Sequence, residues 1–380
     1  MLYSPLTDRA GLGGSAFSLR GNALPAPSAW AGLFGSLIGL NGFGYAHAKW
    51  FYEGKPPAPD WAGFWQPVPL LAVGTVLLLT FIAAVAWQKR GRRGFLPGPA
   101  WFGATPDRRA ALYAMMPAVV GVHLAVALLV SGVQGRLFSA DNALPAGWAN
   151  LLGLGQIGIG LAVAYGGMTR LAALGLAVTW LLGVALLGLE PMLENVFILS
   201  LAAFFWLAGR GPVAVDRLIF PSLEPSARLM AWAVPALRVG LGLSLVVVAF
   251  TEKLANPGLA EAFLRQHALN FLPTLGLPVS DAAFAVLAGS VELLVGLWLV
   301  AGVFPREVVL LAWVPFNLTL TVFDWVELVG HLPFYAGMAL LLVWEPGRAN
   351  LEVWLHGLRG GPLAVNLRKL GQHSRARRGP

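Results

Sequence analysis

The stretch "LAGSVELLVGLWLVAG", Leu287 to Gly302, holds one carboxylate, Glu292, among fifteen uncharged residues. A spanning helix needs roughly 17–25 apolar residues, and the flanking residues extend this run to 281–303. A charge at the centre of such a run costs at least ~2.5–3.5 kcal/mol on insertion scales. Glu292 therefore requires a partner, and the rest of the chain must supply it.

The surroundings are apolar throughout. Of the 380 residues 57% are hydrophobic and 12% are charged, against about 25% charged in a soluble domain. The chain reads as a polytopic membrane protein. Absence of cysteine removes dithiol exchange, thiolate zinc and iron–sulfur clusters. The first 28 residues contain no compact apolar region ahead of a small-residue cleavage site. No removable signal peptide is expected, and the run from Trp30 should remain as an anchor.

Ten segments have span character: 30–48, 67–87, 110–131, 147–166, 170–188, 194–208, 229–250, 281–303, 307–323 and 331–345. With an even count, both termini share one side. Placing them in the cytoplasm puts 20 of the 26 Lys and Arg inside and leaves five in outer loops, Lys49, Lys55, Arg136, Lys253 and Arg265. Positive residues mark the cytoplasmic side, so the expected location is a bacterial inner membrane with both termini cytoplasmic. The net charge of +8 then serves topology, with anionic lipid headgroups as its partner and no role in nucleic-acid binding.

The chain also repeats itself. At a constant offset of 136, Gly153 meets Gly289, Gln156 meets Glu292, Gly160 meets Gly296, Gly166 meets Gly302 and Arg170 meets Arg306. The same offset carries Asn195 onto His331, and Pro117 meets Pro235 at an offset of 118. The expected architecture is all-α: a two-helix extension over 1–109, four-helix units over 110–211 and 229–347, and a basic tail over 348–380. Equal orientation implies a pseudo-twofold axis along the membrane normal. Glycines such as Gly153, Gly155, Gly158 and Gly160 are expected to let helices approach closely.

The second unit resembles a known family. "LRVGLGLSLVVVAFTEKLANP", "GSVELLVGLWLVAGVFPR" and "WVPFNLTLTVFDWVELVGHLPFYAG" are similar to the DoxX/DoxD-like small membrane proteins over about residues 235–345. The resemblance rests on Arg238, the Glu252-Lys253 pair, and Glu292 four residues before Gly296. It implies association with a respiratory or redox system, quinone as a ligand, and other membrane or periplasmic subunits as partners. The first unit carries Val120, Gln134 and Gln156 where the second has Arg238, Glu252 and Glu292, so a site of that pattern would be degenerate there.

Helix geometry offers a partner for Glu292. At ~1.5 Å per residue, Glu292 and Arg238 reach similar depths on two helices, and Asn317 reaches that level on a third. An intramembrane site of Arg238, Glu292 and Asn317 is expected, either fixing helix register or binding a polar head or a proton. A second group, Glu252, Lys253, Asp324, Glu327 and His331, is placed at the outer rim. There Glu327 and His331 stand four apart in "DWVELVGHLP" and suit a metal, an acid/base pair or a solvated loop with a capping acid. A single histidine without cysteine is a weak metal signal, and no metal is assigned.

In the first unit His123 and Gln156 are expected to pair. Haem is disfavoured because His47 and His123 sit at different depths. The segment "WFYEGKPPAPDWAGFWQPVP" reads as an interfacial aromatic belt or an ordered outer loop. Three functions stay open at this point: a redox subunit binding quinone or docking a periplasmic electron donor, a carrier or lipid-handling protein, and a structural or assembly subunit. No reaction is assigned.

Overall fold

Each apolar run closes its own backbone hydrogen bonds as a helix, as a bilayer demands. The computed structural model describes residues 47–52, 56–220, 226–267, 269–320, 323, 325–344 and 354. These belong to one of two compact units in the chain, Asn41–Pro380. The described residues are helical, with one isolated β-bridge between Arg136 and Ala143.

The long helices are α1 (Pro67–Lys89), α2 (Pro106–Val133), α3 (Ala146–Tyr165) and α4 (Thr169–Leu187). A short α5 (Leu189–Glu194) precedes α6 (Phe197–Ala208). Then come α7 (Ala227–Val248), a short amphipathic helix α8 (Pro257–His267), α9 (Asp281–Ala301), α10 (Pro305–Thr319) and α11 (Trp325–Val343). Among the described residues seven helices are long and apolar enough to cross a membrane: α1, α2, α3, α4, α7 with its continuation to Leu254, α9 and α11. The expected sixth segment begins at Phe197 and has only 12 residues, because Glu194 closes a separate helix. The expected tenth begins earlier, at Trp325, because "WVELVGHLP" is helical. The expected first span, 30–48, lies outside the described residues except for His47 and Ala48, as does the tail over 348–380 except for Trp354.

Packing runs α2 on α3, α3 on α4 and α4 on α6, then α7 on α9, α9 on α10 and α10 on α11. Between the two sets, α6 packs on α7 and α11 packs on α2. The fourth helix of each set thus meets the first helix of the other. Residues at the 136 offset share unusual backbone geometry: Gly166 and Gly302 end their helices at φ 70° and 68°, and Met168 and Phe304 follow at φ 51° and 43°. The left-handed region disfavours a Cβ, so such strain at matched positions reflects a matched tight turn. Peripheral α1 packs on α9 and exposes Leu71, Leu78 and Phe81 on its other side.

Close approach is local. A Cβ on Gly153 would lie 2.5 Å from the Gly132 carbonyl oxygen, so α2 and α3 touch through backbone there. Gly160 faces Ala125 in the same seam, but Gly155 and Gly158 have nothing within 4 Å and do not serve helix approach in the described structure.

Candidate functional site: a buried acid–base network

Glu292 has a partner, and it is Lys253. Lys253 Nζ donates to Glu292 Oε2 at 2.9 Å, with the lysine side chain 1% exposed. The reason is a change of helical winding. After Val248 the chain continues as a π-helix over Ala249–Leu254, and such segments often mark functional sites. This segment places Thr251, Glu252 and Lys253 inside the protein, all buried.

The expected Arg238–Glu292–Asn317 arrangement is therefore corrected. Arg238 donates through Nη1 to the carbonyl oxygens of Leu299 and Val300, at 2.9 Å for Val300. It satisfies the last carbonyls of α9, which have no partner within the helix. The backbone register explains it: α7 and α9 run antiparallel with Gly242 against Gly296 and Val300, so Arg238, one turn earlier, stands level with the C-terminal end of α9 and not with Glu292. Asn317 is exposed and donates to the Trp313 carbonyl of its own helix. The first unit performs the same capping with another residue: Arg210 donates to the carbonyls of Val163 and Ala164 at 2.7 and 2.5 Å. Those carbonyls correspond to Leu299 and Val300 at the offset of 136.

The group placed at the outer rim is buried as well. Glu252, Lys253, Glu327 and His331 are all 3% exposed or less, which excludes a solvated cap for them. Asp324 lies outside the described residues. Glu252 accepts from the Ala48 backbone N–H at 2.7 Å and lies 3.3 Å from His47 Nδ1. It also lies 3.8 Å from Lys253 Nζ. His331 Nδ1 is 3.2 Å from Glu327 Oε1, one helical turn away. The pair is close but poorly aligned: neither Glu327 oxygen nor that nitrogen has a well-directed hydrogen bond among the described residues. The His331 ring lies among aromatic neighbours, with centroids 5.4 Å from His47, 5.1 Å from Trp50 and 4.5 Å from Phe316.

Four more groups complete the network, none of them placed in it by the sequence reading. Lys49 Nζ donates to Glu194 at 2.5 Å and to Glu190 at 3.0 Å, and Thr251 Oγ1 donates to Glu194 at 2.5 Å. Glu190 is the half-exposed member, with 42% of its side chain open to solvent. Glu194 lies outside the spanning helices, and burial, reinforced by the Glu252 charge, pushes its carboxyl up to about 7 against the pull of Lys49 and Thr251. For Lys49 burial acts downward, but the carboxylates of Glu194, Glu252 and Glu190 outweigh it and the ammonium is held well above its usual range. A small cavity lined by His47, Trp50, Asp141, Glu194 and Asn195 has room for about one water molecule. Within 50–69, expected as belt or ordered loop, parts pack on the protein: Phe51 stacks on Phe323 and Phe64 is buried. Trp61 and Trp65 are exposed, as belt residues would be.

The expected His123–Gln156 pair does not form. Gln156 is fully buried but faces the loop after α2, donating to the Arg136 carbonyl and accepting from the Phe138 N–H. His123 bonds the Val119 carbonyl of its own helix. Among the described residues no group of three or more His, Asp or Glu has the geometry to hold a metal ion. No family model, curated protein or solved structure matches this chain.

Proposed function

We propose that the chain is an integral membrane subunit of a respiratory or redox system that binds quinone and exchanges its protons at the buried network. One observation carries this reading. His47, Lys49, Glu194, Glu252, Lys253, Glu327 and His331 come from separate parts of the chain and are buried or nearly so, linked to the surface through Glu190. Burying so many ionisable groups is costly, and intramembrane ionisable residues are functional candidates by default. Quinone reduction takes up protons with electrons, and paired acids and bases beside a lipid-accessible surface suit it. The DoxX-like pattern of Arg238, Glu252-Lys253 and Glu292 points the same way.

The same reading has the chain crossing a bacterial inner membrane ten times with both termini cytoplasmic. The short α6 and α10 join the seven longer spans, and 30–48 supplies the tenth. Reporter fusions after Arg93 and after Asn256 should then report opposite sides.

The test of function is purification in mild detergent followed by lipid extraction and a redox difference spectrum. A stoichiometric quinone is expected, reduced in Glu194→Gln and Glu327→Gln. A quinone-free protein that keeps stable partner subunits would instead support a structural role.

A further inference from the structure

Between α6 and α7 lies a lipid-facing groove of about 420 Å³, within the ~300–1,000 Å³ of ligand pockets. Its walls are apolar: Val196, Leu199 and Ala203 on α6 and its approach, Trp232, Ala236 and Leu243 on α7. From Trp232 to Leu243 it follows about 16 Å of helix. The floor is closed where Gly240 meets Ser200, since a Cβ on Gly240 would overlap that serine side chain. Ala203 and Ala236 leave the space beside that contact open. The Ser200 hydroxyl donates to the Phe197 carbonyl at 2.7 Å, so it is already engaged. Such a groove accepts a hydrocarbon chain and offers nothing to a polar head.

The ends differ. At Val196 and Leu243 the next polar residues on the two walls are Asn195, whose amide donates to the Pro191 carbonyl, and Ser244, whose hydroxyl bonds the carbonyl of the following Glu194. The charged groups at that end are Glu190, Lys49 and Glu194, two carboxylates around one ammonium. Both carboxyl groups engage the Lys49 ammonium, so it is not free for a phosphate, and this end suits a neutral head bearing carbonyl or hydroxyl groups. At the other end Trp232 is exposed, with Arg228 one turn before it.

We propose that this groove holds the chain of a neutral-headed lipophilic molecule whose head lies at the Glu190–Lys49–Glu194 end. The identification of that molecule as a quinone rests on the function proposed above; the groove itself does not.

The experiment uses the full chain in phosphatidylcholine nanodiscs with three probes: decylubiquinone, its tail-less parent benzoquinone, and monododecanoylglycerol. Ala203→Phe and Ala236→Phe fill the groove from opposite walls, and thermal melts identify a variant that folds as the wild type does. Decylubiquinone should bind the wild type about ten-fold more tightly than the tail-less head, a difference of 1.4 kcal/mol. A folded, filled variant should lose that advantage while its affinity for the head alone is unchanged. Unchanged decylubiquinone binding in both filled variants would overturn the inference. So would loss of co-purified phosphatidylglycerol alone, which would assign the groove to a phospholipid held from the Arg228 end. If only monododecanoylglycerol binds in a groove-dependent way, the quinone function falls and the groove assignment stands. If no probe binds the wild type, both fall.

Discussion

Lys253 and Glu292 form a 2.9 Å ion pair between the π-helical end of α7 and the middle of α9, with the lysine side chain 1% exposed and the glutamate side chain 19% exposed. In the first unit, Gln156 occupies the place of Glu292 and satisfies its amide on the backbone of Arg136 and Phe138. The fold thus solves one structural problem twice, with charge in one unit and without it in the other.

Removing one partner of a buried pair typically costs about 3–5 kcal/mol. Lys253→Met and Glu292→Gln should each lower the melting temperature in detergent substantially. The double variant should melt above the worse single one. A double variant that melts below both would refute the pairing.

Arg238 acts elsewhere. Hydrogen bonds to charged groups are worth ~1.5–3 kcal/mol, and Arg238→Ala should cost about that through the freed carbonyls of Leu299 and Val300. Combined with Glu292→Gln, the losses should add within about 0.5 kcal/mol, as for sites without a shared partner. A coupling well above that in a double-mutant cycle would place the two residues in one network.

Glu194 gives the stability a slope in pH. Its carboxyl titrates near 7 in the folded protein, above its ordinary 4.5, so the folded state binds this proton more tightly than the unfolded state. That contribution is fully present below about pH 4.5 and is lost as pH rises through 7. The melting temperature of the wild type should fall across this window more steeply than that of Glu194→Gln. Parallel curves for the two proteins would exclude the effect.

The glycines of α3 should separate cleanly. Gly153→Ala places a Cβ against the Gly132 carbonyl and should destabilise by about 1–3 kcal/mol through overpacking. Gly155→Ala and Gly158→Ala meet nothing within 4 Å and should stabilise by up to about 1 kcal/mol through helix propensity. Thermal melts of the three variants check this.

The membrane class, most spanning segments and the 136-residue correspondence were legible in the sequence, because hydropathy and glycine spacing are local properties of the chain. The Glu252-Lys253 pair and the four-residue spacing of Glu327 and His331 were visible for the same reason. Partner choice was not. A rise of ~1.5 Å per residue fixes position along one helix, but the register between α7 and α9 sets Arg238 level with the end of α9, and the π-helix at Ala249–Leu254 turns Lys253 toward Glu292 instead. His47 and Lys49 join residues 141 to 205 positions away, and no periodicity within a single helix encodes a contact of that range. The sequence marked Glu292 as a charge inside a span; which other charges are buried beside it, and which of them touch, was decided by helical winding, helix register and the packing of distant segments.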